Sequence, residues 1–153
     1  MQDEPLLEDD PGLGEGLRGA ARRALWAPVA VVVLHSVLGA IFGHEPYVDP
    51  AIQLCGGVAV AYFLYETCTA LPGVLGQPTP LGRNLMAFGL TAAVAILWEV
   101  GAYVIDSLFG TRLLTNVYET IRDLLLGLLG ALFFLVGHWL GVRDAERSEG
   151  DPG

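Results

Sequence analysis

Glu99 and Asp106 stand seven residues apart in the otherwise apolar stretch "WEVGAYVIDSLFG", Trp98 to Gly110. In a helix seven residues are two turns, so both carboxylates fall on one face, about 10 Å apart along the axis. Just beyond, "NVYETIRDLLLGLLG" supplies Glu119 and Asp123, with Arg122 between them. Carboxylates stacked in this way suit the holding of a cation or a proton, since like charges brought close cannot all ionise cheaply. Glu99, Asp106, Glu119 and Asp123 are therefore the candidate cation or proton site, with Glu99 its deepest member. The residues name neither a metal nor a cofactor. A plainer role is open for three of them. Asp106, Glu119 and Asp123 suit ion pairs with Arg112 or Arg122, and Glu119 and Asp123 suit the positive end of a helix dipole.

The elements that position these residues are apolar helices long enough to cross a membrane. The chain has 153 residues, 53% hydrophobic and 16% charged, with a mean hydropathy of +0.52. Soluble domains carry about a quarter charged residues. The charges are also segregated: ten of the 17 acidic residues lie in Met1–Gly16 and Asp144–Gly153. We expect spans at about 24–43, 51–71, 85–108 and 121–142, each near the roughly 20 residues a bilayer requires. The fold class is then all-α, a polytopic four-helix transmembrane bundle over residues 24–143. Residues 1–23 read as an acidic disordered tail ending in a basic juxtamembrane patch, and 144–153 as a second disordered tail. The first apolar run follows an acidic lead and no A-x-A site comes after it, so it reads as a retained span and not a signal peptide. "PGVLGQPTPLG" is a loop. "GTRLLTNVYET" is too polar to span and reads as a surface helix or a re-entrant turn.

Arginine placement orients the bundle in the cell membrane. All eight basic residues are Arg. Six of them (Arg18, Arg22, Arg23, Arg83, Arg143 and Arg147) fall on the side of the two tails, against Arg112 and Arg122 on the other. Both termini are expected in the cytoplasm, with Trp26 and Trp139 at the inner interface and Tyr47 and Tyr103 at the outer one. The carboxylate site then faces outward.

The remaining polar residues in the spans need partners, because a charge at mid-bilayer costs about 2.5–3.5 kcal/mol on insertion scales. Glu66 lies roughly 22 Å and His138 roughly 25 Å below the outer ends of their spans, so the two are expected to form a structural polar pair. His35 reads as a hydrogen-bonded core residue. His44 and Glu45 lie in a loop with no ligand spacing around them. Cys55 and Cys68, 13 apart on one helix, cannot pair with each other. Gly137 and Gly141, like Gly39 and Gly43, form G-x-x-x-G, which suits close helix packing or a homodimer.

Composition excludes some partners. A net charge of −9 and a pI near 4.5 argue against nucleic acid. The acidic, lysine-free bias is that of salt-loving archaea, or of a GC-rich genome that encodes Arg for Lys.

The segment "WEVGAYVIDSLFGTRLLTNVYETIRDLLLGLLGA", Trp98 to Ala131, resembles the YjdF-type group of small uncharacterised membrane proteins, and more distantly VanZ-type proteins. The matching positions are Trp98-Glu99, Gly110-Thr111, Glu119-Thr120, Asp123-Leu124 and Leu129-Gly130-Ala131. Glu119 stands where that group usually has aspartate, and a further aspartate expected near Gly127 is absent. If the group's site holds a cation, this copy should hold it less well. The resemblance implies a multi-pass membrane fold and no established reaction.

The function expected from these residues is binding or passage of a cation, proton or small polar solute. The alternatives are a membrane-embedded enzyme acting on a lipid or isoprenoid, or a structural partner subunit. Catalysis is the weaker expectation, because no D-D-x-x-D, H-E-x-x-H or lipid-phosphatase pattern is present.

Overall fold

The structure, a computed structural model, describes residues 13–42, 48–110 and 116–149. The described residues are helical apart from short connections: α1 (Leu13–Ala24), α2 (Trp26–Phe42), α3 (Val48–Ala70), α4 (Pro72–Leu75), α5 (Pro80–Phe109) and α6 (Val117–Glu149).

The first span departs from expectation. Helix begins at Leu13, so the stretch expected to be disordered through residue 23 is ordered from that point. Gly16, Ala20 and Ala24 recur every four residues and form a buried stripe of small side chains. That stripe lets α1 press against α3. A Cβ on Gly16 would stand 2.6 Å from the Ala70 carbonyl oxygen and 2.7 Å from Leu71 Cδ2. Glu15 in the first turn and Arg22 and Arg23 in the last also complement the helix dipole. The Gly-rich, acidic composition of the region hid this periodicity.

α1 and α2 form one path bent by 46°. Pro28 accounts for the bend. It cannot donate to the carbonyl of Ala24, and its ring displaces that carbonyl. The ladder holds on either side, with Leu25 N donating to Ala21 O at 3.0 Å and Val29 N to Leu25 O at 3.3 Å.

α3 is the central helix, packed against α1, α2, α5 and α6. Its crossing with α6 is a contact between backbones. A Cβ on Gly57 would run into the Gly127 carbonyl, and one on Gly130 into the Leu54 carbonyl. The close glycines are thus Gly57, Gly127 and Gly130. Gly39, Gly137 and Gly141, the described members of the two G-x-x-x-G pairs, meet nothing within 4 Å; Gly43 lies outside the described residues.

Local signals set the ends of the long helices. Thr79 caps α5 by accepting from Gly82 N at 3.1 Å, with Pro80 at the first helical position. Gly110, at φ 63°, ends α5 in the left-handed region and donates its N–H to Asp106 O. Asn116 caps α6, its Oδ1 accepting from Glu119 N at 2.9 Å. The helices overrun the expected spans at most ends. α6 in particular continues through Glu149, into the stretch expected to be a disordered tail. The tails at 1–12 and 150–153, the residues His44, Glu45, Tyr47 and Arg112, and most of the connection before α6 lie outside the described residues.

Large apolar side chains cover the outside. Leu97, Leu108 and Phe109 are 69%, 71% and 75% exposed. In water such a surface would aggregate, whereas in a bilayer it meets lipid. α3, α5 and Val117–Gly141 of α6 are each long and apolar enough to span, and the bent α1–α2 path makes up to four. This is a multi-span helical membrane protein.

The glycine crossing yields a test. Gly57→Ala should lower unfolding stability by about 1–3 kcal/mol, the usual range for overpacking. Gly137→Ala, into open space, should stay within about 0.5 kcal/mol. Reversible unfolding in mixed detergent micelles measures both.

Candidate functional site

Four helices surround a cavity of about 330 Å³. α2 contributes Pro28, Val31, Val32 and His35 to its lining, and α3 contributes Gln53, Gly56, Gly57 and Val60. α5 contributes Thr91, Val94, Ala95, Trp98 and Glu99, and α6 contributes Asp123, Leu124 and Gly127. The glycine crossing draws α3 and α6 together, while α2, packed on α3, adds a cavity wall without an extended contact to α5 or α6 among the described residues. Its polar end lies toward the N-termini of α3 and α6 and the C-termini of α2 and α5. Glu99 is ten residues, about 15 Å, from the end of α5, and Asp123 six residues, about 9 Å, from the start of α6.

Asp123 is held in place. Its Oδ1 accepts from Arg122 Nε and pairs with the second guanidinium nitrogen, both at 3.1 Å. Its Oδ2 meets Gln53 Nε2 at 3.5 Å, a long contact. Among the described residues no hydrogen-bond donor or cation reaches the Glu99 carboxylate. The charged group that acts on it is Asp123, of the same sign. Among the described residues this end of the cavity thus gathers two carboxylic side chains, with one arginine beside them. Thr91, only 2% exposed, spends its hydroxyl on Ala87 O at 2.8 Å.

Of the four acids expected to act together, Glu99 and Asp123 line the same cavity. Asp106 and Glu119 are not part of its lining. Glu119 sits at the third position of α6, where the backbone N–H bonds to the Asn116 cap, the place a carboxylate occupies in a capping box. Among the described residues no group of three or more His, Cys, Asp or Glu side chains is arranged to hold a metal ion.

The expected Glu66–His138 pair is not joined by a hydrogen bond or ion pair among the described residues. His138 instead lies against the Tyr65 ring, centroids 4.5 Å apart, and near Phe134 at 5.9 Å. Tyr62 packs edge-on against both Phe134 and Trp26. This aromatic cluster lies toward the C-terminal end of α3, outside the cavity lining. Arg83 caps it, its guanidinium 5.7 Å from the Tyr65 centroid and donating to Thr69 Oγ1 at 3.3 Å. Cys55 and Cys68 are both free.

Sequence reasoning did not place Gln53, Thr91 or Trp98 in the site, and read His35 as a core residue. Gln53 carried a usable signal, being an amide in the apolar run "AIQLCGGVAV". The others became legible only once the helices were assembled.

A family model described as "Predicted membrane protein (DUF2238)" matches residues 22–143. The chain belongs to the DUF2238 family. The match takes in every cavity-lining residue and leaves out most of α1. The YjdF-type resemblance of Trp98–Ala131 fits this family. No curated protein and no solved structure matches the chain.

The arginine beside Asp123 is open to test. Arg122→Gln should cost about 1–2 kcal/mol of stability, because it strips a partly buried carboxylate of its donor next to Glu99. Adding Asp123→Asn should recover most of that loss. A double-mutant cycle by detergent unfolding measures the coupling.

Proposed function

We propose that the protein binds a positively charged or polar solute inside the membrane, in the cavity among α2, α3, α5 and α6. Glu99 is the anchoring carboxylate and Asp123, fixed by Arg122, the second negative wall. The observation that carries this reading is Glu99 itself, a carboxylate that no donor or cation meets among the described residues, lining a cavity it shares with a second carboxylate. A charge left so in the membrane costs several kcal/mol unless a proton or cation meets it. The cavity is at the low end of the roughly 300–1,000 Å³ typical of small-molecule sites, and far larger than a bare metal ion requires. Asp106, nearer the end of α5, and Glu119, at the start of α6, extend the negative field toward the same end of the bundle.

In this reading both termini lie in the cytoplasm and the polar end of the cavity faces outward. The supporting observation is that α1 lies along the C-terminal end of α3. Its arginines Arg18, Arg22 and Arg23 thereby share an end of the bundle with Arg83, as the arginine bias of cytoplasmic loops requires. Two copies pairing through the open Gly137–Gly141 face of α6 would suit so small a binding protein.

Thermal melting in detergent tests the site. Wild-type protein should gain several degrees with the cation it holds, screened across sodium, calcium, manganese, zinc and small organic ammonium ions. Glu99→Gln should lose that gain, and Asp49→Asn at the start of α3 should keep it. Equal shifts for wild type and Glu99→Gln across the whole series would leave carboxylates that only hold helices together. For orientation, reporter fusions should be active on the cytoplasmic side at residue 153 and on the outer side when inserted between α2 and α3. The reverse pattern would turn the cavity inward.

A further inference from the structure

The cavity has three closed sides. α3 and α6 meet backbone to backbone, and α5 packs on both. The fourth side differs. α2 packs on α3 and α1, and no extended contact joins it to α5 or α6 among the described residues. The residues beside this gap belong to the cavity and to the outer surface at once. Val32 on α2 is 58% exposed, Trp98 on α5 is 68% exposed, and both line the cavity. His35 on α2 is likewise exposed and lining. Trp98 lies eleven residues, about 16 Å, from the end of α5. At that depth the medium outside the gap is hydrocarbon and not water.

We propose that the cavity opens sideways into the bilayer between α2 and α5, and that its ligand is a cationic amphiphile. The positively charged head lies at Glu99 and the apolar chain lies in the gap. This rests on the reading of the cavity as a cation site and adds the ligand class and its route. The lining is sorted to match such a molecule. Glu99, Asp123 and Gln53 cluster at one end, on α5, α6 and α3. Val31 and Val32 on α2 and Val94 and Ala95 on α5, the two helices either side of the gap, supply apolar lining. An ammonium head meets the negative charge that Arg122 leaves uncompensated, and the indole of Trp98 at the rim offers a π face to the same cation. A water-soluble ion needs no opening to lipid, and an anionic amphiphile would meet two carboxylates.

The probe is dodecylammonium, compared with butylammonium and dodecanoate at matched mole fraction in the lipid. The full chain is used in phosphatidylcholine nanodiscs, with Trp26→Phe and Trp139→Phe leaving Trp98 as the reporter. Dodecylammonium should shift Trp98 fluorescence saturably, at least tenfold more tightly than butylammonium, and dodecanoate should give no saturable change. Glu99→Gln should weaken dodecylammonium at least tenfold. Val32→Phe, which fills the gap without adding a second indole, should weaken dodecylammonium while leaving butylammonium unchanged. Equal binding of the two ammonium ions would overturn the lateral route and keep the cation site. Binding of neither to the folded protein would overturn both. A second copy seated over the gap would also overturn the proposal. It would show as disulfide-linked dimer from Trp98→Cys in a Cys55→Ser, Cys68→Ser background.

Discussion

The architecture depends on one contact without side chains, the crossing of α3 over α6 at Gly57, Gly127 and Gly130. In lipid, apolar side chains gain little by leaving one hydrocarbon for another, so helices associate through close packing and polar contacts. Glycine allows the approach here, and any larger residue at Gly57 or Gly130 would strike a carbonyl on the other helix. The crossing fixes the register, bringing Gly127 opposite Gln53 and, one turn away, the Asp123 carboxylate within reach of the Gln53 amide. α5 then completes a three-helix core by packing on both, and among the described residues α2 packs mainly on α3 and α1. The cavity follows from this unequal attachment.

Its two carboxylates differ because their helices differ. Asp123 lies near the start of α6 and has an arginine as its immediate neighbour in sequence, so its charge is met within its own helix. Glu99 sits in the middle of α5, whose only arginine, Arg83, is more than four turns away and engaged with Tyr65 and Thr69. The chain thus pairs one acid structurally and leaves the other turned to the cavity. At the opposite end the rings of Trp26, Tyr62, Tyr65, Phe134 and His138 fill the space, so polar groups and aromatic packing divide the bundle lengthwise.

Much of this was legible in the sequence where one helix settles it. The apolar runs and a break after α3 follow from length and composition, although "PGVLGQPTPLG", expected to be a loop throughout, forms the short helix α4 at Pro72–Leu75 and the start of α5 from Pro80. What needed the assembled bundle was the partner of each face. Matched depth suggested Glu66 for His138, and the ring that meets His138 is Tyr65, the residue beside it, because depth does not fix rotation about the helix axis. The G-x-x-x-G pairs looked like packing sites, yet the close approach uses Gly127 and Gly130 at a spacing of three, with the third glycine on another helix. α1 was missed because its buried stripe is made of Gly and Ala, which barely register as apolar. Its spacing of four showed a helix face only against α3.

α5 runs about 45 Å for its 30 residues, well beyond the roughly 30 Å hydrocarbon layer. A helix of that length meets a bilayer by tilting, at a cost of fractions of a kcal/mol per Å. The α1–α2 path on the other side of the gap carries a 46° bend, so it can meet the same bilayer at its break. The two walls of the gap thus answer membrane thickness in different ways, one by tilt and one by flexing at Pro28. Bilayer thickness thereby becomes a variable that acts on the width of the gap.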